Sequence, residues 1–518
     1  MAPLVSFLMQ NWVELDVTPL QTGLWLCILL LLSVLLLLKL NRRKNLTLPP
    51  SPPKLPIIGN LHQLLGPLLH RTLQGLSKKY GPLMLVHFGQ SPALIVSSAD
   101  MAREMMKTHD IGFLNRPRHT TAKIFLYNCT DLAFTPYGEY WRQLRKLCVV
   151  ELLSIKRVQS FQYVREEEVV VLMNKIRGSC YKGGSVNLSA MLVGVSDNIA
   201  SRCILGRRAE EENGESKFGE IAKKLTSQFA SLCIGDMFPS FGWVDVVTGL
   251  IGRLKATFKE LDAFLDEVIE EHRIEERDGK GKQSDKKDFV DILLQLHRDG
   301  MFEELNKDNL KAILMDMYVG GADTTSTTLE WVMTELIKNP NLLKRAQQEV
   351  RTVVGNKTKI DVNDIEKMEY VKCVIKESLR LRATAPLLVG RETTENVKMG
   401  GYEIPANTRV YVNAWAIQRD SEHWERPEEF IPERFMNNSI DFKGQHFQFI
   451  PFGAGRRGCP GMTFGVAVIE YVTANLLYWF DWKLPAGITE DKLDMTEANG
   501  IAIHRSVPLH LVPTLYSP

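Results

Sequence analysis

The chain has 518 residues, 45% of them hydrophobic, with 63 Lys and Arg against 61 Asp and Glu, a formal charge of +2. That length can bury a large core as one big domain or two, and the balanced charge excludes a nucleic-acid reading built on excess basic residues. The eight cysteines are scattered with no C-x-x-C pair, which argues against a disulfide framework or a zinc site and favours a reducing compartment.

In chain order, residues 19–40 come first, apolar from Pro19 with no charge before Lys39. As a helix the segment spans about 33 Å, enough to cross a bilayer core of about 30 Å. Its leucines favour insertion by roughly 3 to 7 kcal/mol in sum. No basic residue precedes Lys39 and no small-residue cleavage pattern follows, so the segment reads as a retained anchor. Glu14 and Asp16 lie before it, and Lys39, Arg42, Arg43 and Lys44 after it. That asymmetry puts residues 1–18 outside or in a lumen and the rest in the cytosol, leaving the Asn45 and Asn128 sequons unmodified. Residues 41–60 read as a basic cluster and a stiff hinge rich in proline, from Pro49 to Pro56, and residues 61–518 as the main domain.

Within that domain helical periodicity dominates, as in Leu261, Phe264, Leu265, Val268 and Ile269. Strands are expected only at Leu83 to Phe88, Ala93 to Ser97 and Thr408 to Val412, and Glu275 to Lys287 reads as an exposed loop. The expected fold class is mainly α with small β-sheets. From Asn309 to Asn339 the pattern is helical, yet its centre holds Gly320, Gly321, Asp323, Thr324, Thr325, Ser326, Thr327 and Thr328. The glycines, threonines and serine cost roughly 4 to 5 kcal/mol of helix propensity relative to alanine. The helix is either kinked for close packing at the two glycines or locally widened to present a hydroxyl and an acid to a reacting group.

Glu377 and Arg380 stand at i and i+3 in an otherwise apolar run, and Pro432-Glu433-Arg434-Phe435 follows later. Cys459 comes after the glycine-rich stretch Pro451 to Gly458 and before a long apolar helical run, Met462 to Leu477. A cysteine so placed meets the backbone N–H groups and dipole of a helix N-terminus, which favour thiolate, and Arg456 and Arg457 add positive charge. Gly453, Gly455 and Gly461 allow the backbone to approach a flat cofactor closely. A stabilised thiolate suits axial ligation of a haem iron, and a buried structural cysteine is the alternative.

Phe452, Gly455, Arg457, Cys459 and Gly461 together resemble the Phe-x-x-Gly-x-Arg-x-Cys-x-Gly loop of the cytochrome P450 family, a coincidence expected on the order of 10⁻⁴ times per chain. Gly320, Gly321, Asp323, Thr324 and Thr325 resemble its Ala/Gly-Gly-x-Asp/Glu-Thr-Thr motif, and Glu377 with Arg380 its Glu-x-x-Arg helix. Trp141 with Arg145 resembles its Trp-x-x-x-Arg helix, and Pro49 to Pro56 the hinge of its microsomal members. The motifs run in the family's order from Leu48 to the end, with details similar to the plant A-type clan. A departure lies at Arg382-Ala383-Thr384-Ala385-Pro386, where that clan often has His-Pro-Pro.

The resemblance implies a cytochrome P450-type helical fold preceded by a transmembrane helix, and haem b (iron protoporphyrin IX) ligated through Cys459. It implies Phe452, Gly453 and Arg457 in the cofactor loop, with Trp141, Arg145, Arg391 and Arg457 on the propionates. Thr324 and Asp323 become the catalytic proton-delivering pair, and Glu377, Arg380 and Arg434 a buried structural network. Substrate walls would come from residues 113–130, Phe229 to Met237, Val319, Ala322, Ala385 to Val389, and Gly500 to Ile501. The activity implied is a single-pass monooxygenase of the endoplasmic reticulum membrane with a cytosolic catalytic domain. It would insert one oxygen atom of O₂ into a small lipophilic plant metabolite of terpenoid, phenylpropanoid, coumarin or alkaloid type. No Gly-x-Gly-x-x-Gly opens a helix, so electrons come from NADPH through a partner, NADPH–cytochrome P450 reductase, with cytochrome b5 as a second donor. Arg142 and Lys146 are candidates for facing it. An isomerase or dehydratase needing neither O₂ nor reductase, and a non-catalytic haem protein, remain the alternatives.

Overall fold

The computed structural model describes residues 24–31, 33, 47–211, 214–215, 217–278, 286–301 and 306–516. Of the expected anchor, Leu24 to Leu31 and Ser33 are helical and exposed; its other residues, and 1–18 before it, lie outside the described residues. The chain divides into two units, 1–48 with 401–403, and 49–400 with 404–518. The second unit holds everything described below.

Its main helices are α1 (Leu69–Tyr80), α2 (Glu139–Leu147), α3 (Gln162–Lys182), α4 (Leu188–Leu205), α5 (Leu250–Arg277), α6 (Phe289–Arg298), α7 (Lys307–Lys338), α8 (Glu369–Leu381) and α9 (Met462–Trp479). The strands used here are β1 (Leu83–Phe88), β2 (Ser91–Val96), β3 (Arg391–Glu392), β4 (Arg409–Val412), β5 (Phe480–Lys483), β6 (Glu497–Ala498), β7 (His504–Arg505) and β8 (His510–Leu515). One sheet runs β1-β2-β4-β3, with Leu83 opposite Val96 in an antiparallel pair and Ala93 beside Arg409 in a parallel one. β8 pairs antiparallel with both β5 and residues Val186 and Asn187.

α7 is the axle of the core. A helix that is apolar on most sides must be enclosed, and Leu310, Ile313, Leu314, Leu329, Trp331, Val332 and Leu336 are all buried. The central α7 residues do not break it: the helix is continuous from Lys307 to Lys338. Burial offsets the weak propensity, and the hydroxyls bond back to carbonyls one turn earlier, Thr324 to Gly320 at 2.7 Å and Thr328 to Thr324 at 2.8 Å. The Asn306 side chain caps the start by accepting from the Asn309 amide at 2.8 Å. α4 is long and apolar enough to span a bilayer, but most of it is buried inside the protein.

Three local expectations change. β1 falls at its expected bounds, whereas β2 runs Ser91–Val96 against the expected Ala93 to Ser97 and β4 starts at Arg409 and not Thr408. The run from Glu275 continues α5 to Arg277 rather than forming a loop, and residues 279–285 lie outside the described residues. The proline stretch, from Pro49 on, is docked and not a free spacer. Pro50 O accepts from the Leu85 amide at 2.8 Å, and Asn60 Nδ2 donates to Pro52 O and Pro53 O.

Candidate active site

The loop before α9 closes on itself. The Cys459 amide donates to Phe452 O at 2.9 Å and the Gly458 amide to Gly455 O at 3.0 Å. Gly453 and Gly455 take φ of +68° and +70°, a region that costs side-chain-bearing residues dearly. A Cβ on Gly455 would also stand 2.6 Å from Met106 O, so the position accepts glycine alone. Phe452 meets Phe442 edge-on at 5.3 Å.

Cys459 is accessible yet lies deep among protein atoms, so its side chain faces an interior recess, not the outer surface. Burial pushes its thiol pKa up; the amides of Gly461 and Met462 and the charge of Arg145 pull it back, and the net direction is upward. As expected of a helix end, the Gly461 and Met462 amides favour the thiolate, and the helping charge comes from Arg145. Arg456 turns to Asp110 at 3.0 Å, and Arg457 is committed elsewhere. A metal held at this sulfur would deprotonate the thiol outright.

Four guanidinium groups surround this loop. Arg145 donates to Gly458 O at 2.7 Å. Arg457 donates to Leu114 O, Leu132 O and Thr135 O, and lies 4.3 Å over the Trp141 ring. Trp141 Nε1 itself donates to Leu132 O at 3.0 Å. Arg391 binds Asp110 Oδ1 at 3.0 Å and Ala454 O at 2.7 Å. The fourth, Arg116, was not read from the sequence; it donates to Ala133 O, Val389 O and Gly390 O. Burial and then Arg391 bring the Arg457 pKa down to about 9, and burial, Arg391 and Arg457 lower that of Arg116. Among the described residues, Asp110 on Arg391 is the carboxylate in ion-pair contact with these four. Mutually repelling buried cations call for an anion, and guanidinium forks suit carboxylates. A lone sulfur, a loop open to a flat approach and surplus buried positive charge fit an iron porphyrin bearing two carboxylates.

On the other side, α7 lies close to α9. An added Cβ at Gly321 would be 3.8 Å from Phe464, just past Cys459 in sequence, and one at Gly465 would be 3.8 Å from Thr325 Oγ1. Thr324 donates its hydroxyl to Gly320 O. Asp323 Oδ1 stands 3.4 Å from His504 Nε2, and its other oxygen has no hydrogen-bond partner among the described residues. Burial raises the Asp323 pKa, partly offset by His504 and the Ala502 amide. About two turns earlier, the Asp316 carboxylate accepts from the Ala133 amide at 2.8 Å and meets Asp131, which accepts from the Phe134 amide at 2.8 Å. Burial raises both carboxyls, Asp131 to about 6, so the pair shares a proton.

Behind the loop, buried Glu377 binds Arg380 Nε at 2.7 Å, Arg434 Nε at 3.3 Å and the Ile431 amide at 2.8 Å. Arg380 also donates to Gln418 O, Pro427 O and Glu429 O, so no polar atom of the cluster is stranded. At the departure from the plant clan, Arg382 reaches Glu335 at 2.7 Å and Glu497 at 3.3 Å. Of the expected substrate walls, Phe125 and Phe229 stack at 6.3 Å, with Phe134 6.1 Å from Phe229. Arg142 is exposed and paired with Glu139, and Lys146 is exposed. Arg116, Asp110, Asp131, Asp316 and His504 escaped sequence reading, since none lies in a periodic or spaced pattern.

Residues 49–511 match the family model for cytochrome P450. The chain is 50% identical over 99% of its length to phenylacetaldehyde oxime monooxygenase CYP71AN24 of Prunus mume, covering 100% of that protein. It is 54% identical to cytochrome P450 71A1 of Persea americana, covering 88% of this chain and 91% of that one. Strychnine-11-hydroxylase of Strychnos nux-vomica is 47% identical, covering 94% and 96%. A solved zebra fish cytochrome P450 with abiraterone superposes with a TM-score of 0.71 at 24% identity, over 86% of this chain and 100% of that one, and supports the fold. The chain belongs to the cytochrome P450 family, among plant CYP71-type relatives, and is a monooxygenase that uses haem.

Proposed function

We propose that this enzyme inserts one atom of O₂ into a small lipophilic plant specialised metabolite, with electrons passed from NADPH by cytochrome P450 reductase and cytochrome b5 as a second donor. It works on the endoplasmic reticulum membrane, held by residues 19–40, with 1–18 lumenal, 41–60 as basic cluster and hinge, and 61–518 cytosolic. The carrying observation is Cys459, whose amide is held on Phe452 O just before α9, the helix that packs against α7. Relatives named for an oxime, an alkaloid and a lignan-type product support a small-metabolite substrate class.

Haem, when bound, supplies the activation of O₂. In this reading Cys459 would hold its iron, and Phe452 and Gly453 would line its approach. Trp141, Arg145, Arg391 and Arg457, with Arg116 beside them, would neutralise its carboxylates. Thr324 and Asp323 hold and move protons. The Thr324 hydroxyl rests on Gly320 O and can turn to donate, and the raised pKa of Asp323 lets it hold and release a proton. The Phe125, Phe134 and Phe229 rings exclude water and orient an apolar substrate. Glu377, Arg380 and Arg434 hold the core behind the cofactor loop.

The test is a panel of oximes, alkaloids, lignans and terpenoids offered to microsomes carrying this chain and a reductase. A mass gain of one oxygen that needs NADPH is expected. Turnover without NADPH would instead favour the isomerase reading, and no turnover of any compound would overturn both.

A further inference from the structure

We propose that His504 is the positioning residue of the acid: its imidazole grips Asp323 through Nε2 and Thr327 through Nδ1, tying proton delivery to the hairpin β6–β7. The inference rests on the reading of Asp323 as the proton-delivering acid. Nothing in the motifs around Gly320 points to residue 504, which lies 177 residues beyond Thr327.

The geometry is a ladder. Asp323, Thr327, Trp331 and Thr334 recur at helical spacing along one stripe of α7. Facing them, His504 Nε2 stands 3.4 Å from Asp323 Oδ1, and the Ala502 backbone lowers the Asp323 pKa. His504 Nδ1 lies 2.8 Å from Thr327 Oγ1, Ile503 O accepts from Trp331 Nε1 at 2.9 Å, and Arg505 donates to Thr334 Oγ1 at 2.8 Å. Both imidazole nitrogens are thus engaged. The Thr327 hydroxyl can donate to Nδ1, which leaves Nε2–H aimed at the Asp323 carboxylate. Gly500 supplies the room, because a Cβ there would come within 3.0 Å of His504 Cδ2 and 3.1 Å of Nε2.

This grip divides the labour of the carboxylate. Oδ1 stands in ion-pair range of the imidazole at 3.4 Å, and Oδ2, buried with no hydrogen-bond partner among the described residues, is the oxygen left to take up and release a proton. Other charged and titratable groups face the pair. Tyr318 and, behind it on α4, Asp197 lie on one side, and Glu330 with Arg505 on the other. Of these, Glu330 also feels His504, so its titration moves with residue 504 as well.

The experiment uses the full chain in membranes with reductase and NADPH, without added substrate. O₂ + NADPH + H⁺ gives H₂O₂ + NADP⁺, a ratio of one NADPH per O₂. O₂ + 2 NADPH + 2 H⁺ gives 2 H₂O + 2 NADP⁺, a ratio of two. We expect His504→Leu to move this ratio towards one and to shift its pH dependence to higher pH, since burial then acts on Asp323 without the imidazole. His504→Gln, whose amide can still donate to Asp323, should recover part of the loss, and Thr327→Val should move the ratio in the same direction by less. Asp323→Asn combined with His504→Leu should match Asp323→Asn alone. Thermal unfolding of the purified chain at several pH values gives a second readout: the two substitutions should be non-additive. An unmoved pH profile with additive unfolding would overturn the inference, as would a lower ratio with the pH profile unmoved. If the unaltered chain takes up no O₂ with NADPH and reductase, the functional reading fails, and the unfolding cycle still decides whether His504 and Asp323 are coupled.

Discussion

At Cys459 two opposed influences meet: burial disfavours charge on the sulfur, while two backbone amides and Arg145 favour it. The balance leaves room for a metal to decide the protonation state. Cys459→Ala should fold, since the core does not depend on this accessible side chain, yet lose the strongly red-shifted absorption of the reduced, carbon monoxide-treated protein. Optical difference spectra check it. The Asp131–Asp316 pair gives a pH signature. An acid whose folded pKa is raised, here to about 6, binds more protons folded than unfolded. Stability therefore falls as pH rises from about 4 through about 6. Asp131→Asn should flatten that dependence, seen as unfolding temperatures at pH 4.5 and 6.5 that differ less than in the unaltered chain.

Elements differ in how plainly the sequence declares them. The cofactor loop was legible because its rules are local: glycines where the backbone turns, then an apolar run for α9. Glu377 and Arg380 were legible for the same reason, three residues apart on one helix. Arg116, Asp110 and His504 were not, because each acts through contacts made far along the chain, as with His504 and Thr327. The span of α7 was legible in its apolar periodicity, although burial and not propensity holds its centre helical. Gly455→Ala should cost about 1–3 kcal/mol through backbone strain alone, before the contact with Met106 O is counted. Glu377→Gln, which leaves Arg380 buried without its carboxylate, should cost about 3–5 kcal/mol. Both are read as faster thermal inactivation with lower haem content, and the second should exceed the first.

At the scale of the whole molecule, the large hydrophobic core lies entirely within residues 122–511. A chain lacking residues 1–48 should therefore keep its fold and its carbon monoxide spectrum while its share in the membrane pellet drops. Fractionation at moderate salt checks this. If the shortened chain stays wholly in the pellet, residues 19–40 are not the sole membrane contact.

The strand β8 was described above as joining Val186 and Asn187 on one side and β5 on the other. Its consequence is temporal. A ribosome releases the middle of this polypeptide long before it releases residues 510–515, so the segment at Val186 waits for a partner made last. The seam at Val186 therefore cannot close until residues far along the chain have emerged, and until then its edge stays open to proteolysis.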